Sequence, residues 1–190
     1  MAPPPFPTNL KRPIDLIVVH CSATPSGKAL GTPARSAVGV IDDWHRERGF
    51  KREEAARNAF NWRLQSVGYH YVIDLGGYVW TGRHLNEVGA HVAVFNAKSI
   101  GICLVGGAEL VGRFTPPQWD SLRQLVRQLQ AGLFRPSLRV VGHRDLSPDT
   151  DGDGQVEQRE WLKTCPGFDV SAWLKLDMKP LPVNVIEGAP

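Results

Sequence analysis

Two histidines and a cysteine have the types and positions from which chemistry could be built. His20 closes the apolar run IDLIVVH, His143 follows LRVVG, and Cys165 sits in KTCPG just ahead of a short helical stretch. Both histidines thus fall at the C-terminal ends of expected buried strands, where sites collect in α/β folds. Two imidazoles and a thiolate can hold a zinc ion and leave a fourth position open for water or substrate. Taken singly, a strand-end histidine is more often a hydrogen-bonded structural residue. The spacing also fits no zinc-finger template, so composition leaves both readings standing.

A second constellation is the stretch DTDGDGQVEQRE, Asp149 to Glu160. Acids occupy positions 1, 3 and 5 (Asp149, Asp151, Asp153), Gly154 position 6, apolar Val156 position 8 and Glu160 position 12. This is the pattern of an EF-hand loop, in which alternate side chains converge on one calcium ion. Gln155 would offer its carbonyl and Glu160 both carboxylate oxygens. The bland alternative is a solvated acidic loop. It would not require glycine at position 6 with glutamate at 12. Long flanking helices are not expected, so the stretch reads as a single dockerin-like calcium loop. Its exit should be the first turn of a helix running toward Lys163 and Cys165.

The elements that must position these residues follow from periodicity. Ile14–His20 and Ser99–Val105 are short, β-branched, nearly continuous apolar runs, the mark of strands buried on both faces. Val38–Arg48 places Val38, Ile41, Trp44 and His45 on one helical face, with Gly49 as a stop. His45 reads there as a core histidine. Residues 51–66 are a second helix or an exposed flap, with Ala55, Ala59, Trp62 and Phe60 as a stripe. Trp62 and the neighbouring arginines either touch a sugar polymer or cover the core.

Tyr69–Asp74 and Tyr78–Thr81 flank a glycine turn and form a hairpin. Thr115 and Gln118 make a capping box for a helix with a Trp119, Leu122, Leu125, Val126, Leu129 stripe. Leu138–Gly142 is a strand, and Asp169–Leu174 a short final helix. The interleaving predicts a single α/β domain with a mixed central sheet flanked by helices. Its expected limits are a proline-rich arm at 1–12, a domain at 13–176 carrying the insertion at 149–160, and a tail without pattern at 177–190.

Composition narrows the class. A chain of 190 residues, 42% hydrophobic and 22% charged, is neither disordered nor a coiled coil. It has no apolar run long enough to span a membrane and no secretory h-region near its start. Three cysteines do not suggest a disulfide framework. Net charge is +3, yet residues 144–160 carry −4 and the remainder +7. A basic body suits an anionic partner, and without a Lys/Arg run nucleic acid is not expected.

Six segments, in order over residues 13–175, decide between the readings: VVHCSAT, GYHYVI with its glycine turn, GAHVAVFNAKSIGICLVGG, FTPPQWDSL, GHRDLSP and KTCPGFDV. Through them the chain resembles the zinc-dependent N-acetylmuramoyl-L-alanine amidases of type 2. That family includes phage lysozyme-type endolysins and the peptidoglycan recognition proteins, and the phage branch looks closest. The resemblance implies zinc ligands at His20, His143 and Cys165, an active-site tyrosine at Tyr69 and an active-site lysine at Lys163. Amide hydrolysis needs an activated water, a polarised carbonyl and a stabilised oxyanion. Zinc supplies the first two, the Lys163 charge the third, and Tyr69 a hydrogen bond or a proton.

The resemblance also implies substrate contacts at His91 and Asn96. His70 and Cys21 should point away from the site, and Cys103 should be a core thiol. The family departs from this chain at 149–160 and 51–66, which read as insertions. The implied activity is endolysin-type cleavage between N-acetylmuramic acid and L-alanine in peptidoglycan. The expected enzyme is a monomer made in the cytoplasm and acting on the wall after release. The alternatives are an inactive peptidoglycan-binding module and a wall-recycling or antibacterial amidase.

Overall fold

A computed structural model describes residues 10–133, 135 and 138–187. Its centre is a sheet of five strands: β1 (Leu16–Cys21), β2 (Tyr71–Ile73), β3 (Val79–Thr81), β4 (Ser99–Leu104) and β5 (Arg139–Gly142). The strand order is β3-β2-β4-β1-β5. β1 runs parallel to β4 and β5, β2 parallel to β4, and only the β2–β3 hairpin is antiparallel. The helices are α1 (Ala37–Glu47), α2 (Glu54–Ala59), α3 (Pro116–Gly132) and α4 (Val170–Lys175). The expected α/β domain with a mixed sheet is present.

Side-chain alternation divides β1 between two cores. Ile17, Val19 and Cys21 pack with the α3 stripe (Trp119, Leu122, Leu125, Val126, Leu129) and with Trp173 of α4. Leu16 and Val18 face the other way, against Val92 and Val141. His20 shares their parity and so emerges on that second face, at the strand's end. α3 begins as its sequence dictates: Thr115 Oγ1 accepts from Gln118 N at 3.2 Å, and Gln118 Oε1 accepts from Thr115 N at 3.0 Å.

Two segments differ from expectation. Residues 51–66 hold only the six-residue α2, which buries none of its residues, and Trp62 is exposed. The insertion is organised by a buried ion pair instead of an apolar stripe. The buried Arg52 guanidinium bonds the carbonyls of Phe60, Asn61 and Leu64 and pairs bidentately with buried Glu87 at 2.7–3.1 Å. Removing one partner of such a pair strands a buried charge. Arg52→Met should therefore cost about 3 kcal/mol, because Arg83 still reaches Glu87 at 3.4 Å. Urea unfolding measures this, and a loss below about 0.5 kcal/mol, the level of an ordinary surface change, would remove Arg52 as the organiser.

The expected tail docks instead, through residue 187. Leu181 joins the core, Asn184 Nδ2 donates to Gly112 O at 2.7 Å, and Val185 bridges Phe114. One leucine and one polar cap carry no periodicity, so the sequence did not announce them. Within the arm, Arg12 bonds the carbonyls of Leu85, Ala97 and Ser99. Residues 1–9 lie outside the described set.

Candidate active site

His20, His143 and Cys165 meet although β1, β5 and the 144–165 excursion deliver them separately. Their ligating atoms lie within 4.8 Å of one another. His20 Nδ1 is 3.7 Å from Cys165 Sγ, and the His20 and His143 ring centroids are 4.7 Å apart. Tetrahedral zinc bonds of about 2.0–2.3 Å would separate a nitrogen and a sulfur ligand by about 3.6 Å. The donor set and its spacing therefore fit the ion.

Local bonds set the two loops. Gly142 N donates to Asp145 Oδ2 at 2.7 Å, Arg144 N to Cys165 O at 2.8 Å, and Leu162 N to Ser147 Oγ at 3.1 Å. Arg144 also lies over the Trp161 ring at 4.0 Å. Cys21 N donates to Cys165 Sγ at 3.2 Å. A hydrogen bond shared with the Cys21 thiol, then burial, nevertheless push the Cys165 thiol well above its ordinary range, so a bound metal would be what holds it as thiolate. Burial, then His91 and His143, hold His20 well below its ordinary range, and burial, then Lys163, lowers His143. Both imidazoles are thus neutral at pH 7, the form that ligates.

Residues 10–168 match the family model described as N-acetylmuramoyl-L-alanine amidase. The chain belongs to this family. The endolysin of Escherichia phage T7 is 35% identical over 163 residues, covering 84% of each chain. The endolysin of Enterobacteria phage K11 is 33% identical over 161 residues, covering 83% of each. Among solved structures, the endolysin amidase LysCS of Clostridium intestinale is similar with a TM-score of 0.56 and 25% identity, over 88% of this chain and 86% of that one.

In this family member His143 and Cys165 open onto a groove of about 420 Å³ that Tyr69, His91, Asn96 and Lys163 also line, with buried His20 behind them. Lys163 is exposed at its edge. The Tyr69 ring lies 5.1 Å from that of His20. Burial, then the neighbouring cysteine thiols, raise the Tyr69 phenol well above 10, so it stays protonated. Cys103, a core thiol as expected, is a hydrogen-bond neighbour of that hydroxyl. Asn96 Oδ1 accepts from both His91 N and Val92 N at 2.9 Å, tying the loop. His91 Nδ1 lies 2.9 Å from His20 Nε2, behind the ligating edge.

Sequence reading missed His45, Arg48 and Phe50 in the groove wall. The signal was there in Arg48 and Phe50 flanking the end of α1. A larger cleft of about 670 Å³ under α2 shares only Ala90 with the groove and includes none of the three clustered residues.

Two buried histidines make the fold sensitive to acid. His45 Nδ1 accepts from Gly68 N at 2.8 Å, and burial, then Arg48, lower it to about 4. His70, which was expected to point away from the site, lies buried behind His91 with the ring centroids 5.8 Å apart. It accepts from Gly101 N at 3.0 Å, and burial, then Arg12, lower it to about 3. Unfolded histidine titrates near 6.5. Below that the unfolded chain binds more protons, so this stability is complete above pH 6.5. It is lost as pH falls toward 4 for His45 and 3 for His70. By pH 5 the expected loss is about 2 kcal/mol per histidine. His70→Asn should flatten the slope, and an unfolding free energy level from pH 7 to 5 would contradict the assignment.

The acidic stretch gathers its carboxylates in two overlapping groups: Asp149, Asp151 and Glu160, and Asp151, Asp153 and Glu157. Asp149 accepts from Gly152 N and Gly154 N, and Asp153 from Gln155 N. Hydrogen bonds from the Thr150 hydroxyl, then from the Glu157 and Thr150 backbone, hold buried Glu160 down to about 2. The exit is a single 3-10 turn, Gln158–Glu160, where a helix was expected. Past that turn the chain is drawn back toward His143 by the bonds of Leu162 N to Ser147 Oγ and of Arg144 N to Cys165 O.

Proposed function

We propose that the chain is a zinc-dependent endolysin that hydrolyses the amide between N-acetylmuramic acid and L-alanine of peptidoglycan. The observation that carries this is the convergence of the His20, His143 and Cys165 donor atoms beside a groove that His143, Cys165, Tyr69 and Lys163 line. Bound by those three residues, zinc would supply an activated water and Lewis-acid polarisation of the scissile carbonyl. The chain's own groups do the rest. Lys163 brings a positive charge to the groove edge, where it offsets the charge developing on the carbonyl oxygen. Tyr69, a protonated phenol beside His20, offers a hydrogen bond to the reacting oxygens. The groove holds the wall fragment, and the basic body of the chain draws in the anionic polymer.

An inactive peptidoglycan-binding module would keep the groove without needing this full set. Zinc content together with turbidity of purified cell walls separates the two. One zinc per chain with falling turbidity supports the amidase, and wall binding without turbidity loss refutes it.

The same reading gives the 149–160 loop a calcium ion held by Asp149, Asp151, Asp153, Gln155 and Glu160. The support is the match to the twelve-residue pattern and the approach of the Asp149, Asp151 and Glu160 carboxylates. Because Lys163 and Cys165 follow Glu160 within five residues, filling the loop steadies both. Calcium at a hundred times its dissociation constant would add about 2.7 kcal/mol, which is about 5–10 °C in a chain of this size. With zinc saturating, a calcium-selective chelator should lower melting temperature and rate, and Asp151→Ala with Glu160→Gln should abolish the response. A wild-type melting curve indifferent to calcium would make the loop a plain acidic insertion.

A further inference from the structure

His20 presents Nδ1 to Cys165 and turns Nε2 the other way, 2.9 Å from His91 Nδ1. An imidazole that ligates through Nδ1 carries its proton on Nε2, so that edge must donate. His91 Nδ1 is then the acceptor, and the His91 proton rests on Nε2, 3.4 Å from Ser99 Oγ. Ser99 Oγ in turn donates to Phe95 O at 2.8 Å. Every link has one direction, and the chain ends on a backbone carbonyl.

The His91 ring is also held in place. A Cβ at Gly89 would lie 2.5 Å from His91 Cδ2, and one at Gly101 would lie 2.7 Å from the same atom. Two glycines thus leave the slot the ring fills, one of them in the middle of β4. Asn96 fixes the His91 backbone from the third side through the two 2.9 Å bonds. A side chain whose work was to follow a substrate would not need such seating, and its Nδ1 would not be spent on His20.

We propose that His91 is a positioning residue, which orients His20 and fixes its tautomer for the metal, and that Ser99 fixes His91 in the same way. This rests on the zinc reading above, and replaces substrate contact as the role of His91.

The test compares wild type, His91→Ala, His91→Asn and Ser99→Ala. It reads zinc affinity by competition with a chromophoric chelator, the absorption spectrum of the cobalt-substituted protein, and kcat and KM at saturating zinc. His91→Ala should weaken zinc 10–100-fold, alter the cobalt spectrum and lower kcat at unchanged KM. His91→Asn, whose Oδ1 can stand where Nδ1 accepts, should recover most of the affinity. Ser99→Ala should move every readout the same way by less, and it carries the test should His91→Ala fail to fold. Unchanged zinc affinity and cobalt spectrum with a raised KM would overturn the proposal and restore substrate contact. A wild-type chain that keeps full activity after zinc is stripped would instead refute the zinc reading itself.

Discussion

Cys165→Ser and His143→Ala are expected to lose bound zinc and amidase activity together, to the limit of detection. Each offers one of the three donor atoms that lie within 4.8 Å, and the zinc they are proposed to hold would provide both the nucleophilic water and the polarised carbonyl. Serine is the sharper replacement at Cys165. It keeps size and the approach of Cys21 N but offers a hydroxyl that does not ionise near neutral pH. The fold should persist, because His143 lies outside the core under α3 and α4 and Cys165 packs only against its margin, where serine keeps the size. Metal analysis of the purified variants beside a turbidity assay reads both effects. Full activity in a zinc-free variant would remove the metal from the mechanism.

Lys163→Ala and Tyr69→Phe should separate chemistry from binding. Neither residue belongs to the donor set, so zinc content and melting temperature should stay near those of wild type. The rate should fall about 10²–10³-fold in each, the usual consequence of deleting one group that stabilises a developing oxyanion. The two need not fail alike. Lys163 is exposed at the groove edge, and its loss removes charge alone. Tyr69 packs between His20 and His45 at ring distances of 5.1 and 5.4 Å. Phenylalanine keeps that packing and removes only the hydroxyl. Wild-type turnover in both variants would leave the metal acting without them.

What the sequence disclosed was what short-range physics writes into it. The parallel strands were legible because β1 and β4 are buried on both faces and so read as unbroken apolar runs. α3 was legible because the Thr115–Gln118 box and a five-residue stripe mark the same helix. The meeting of His20, His143 and Cys165 was not in their spacing. It depends on β1 and β5 lying side by side and on a 21-residue excursion returning, and only likeness to known motifs suggested it. The Arg52–Glu87 pair was hidden for a different reason: a charged residue in a polar stretch looks like surface until its carbonyl partners are in place. His91 was found but given another role. Its neighbour across the site, His20, is 71 residues away, and the glycines that seat it stand in segments with no local oddity.

The most direct measurement is mass analysis of soluble products from purified peptidoglycan digested by the chain. The account predicts stem peptides with a free L-alanine amino terminus and glycan strands whose N-acetylmuramic acid carries a free carboxyl group. Release of shortened glycan with the stem peptide still attached to the sugar would contradict it.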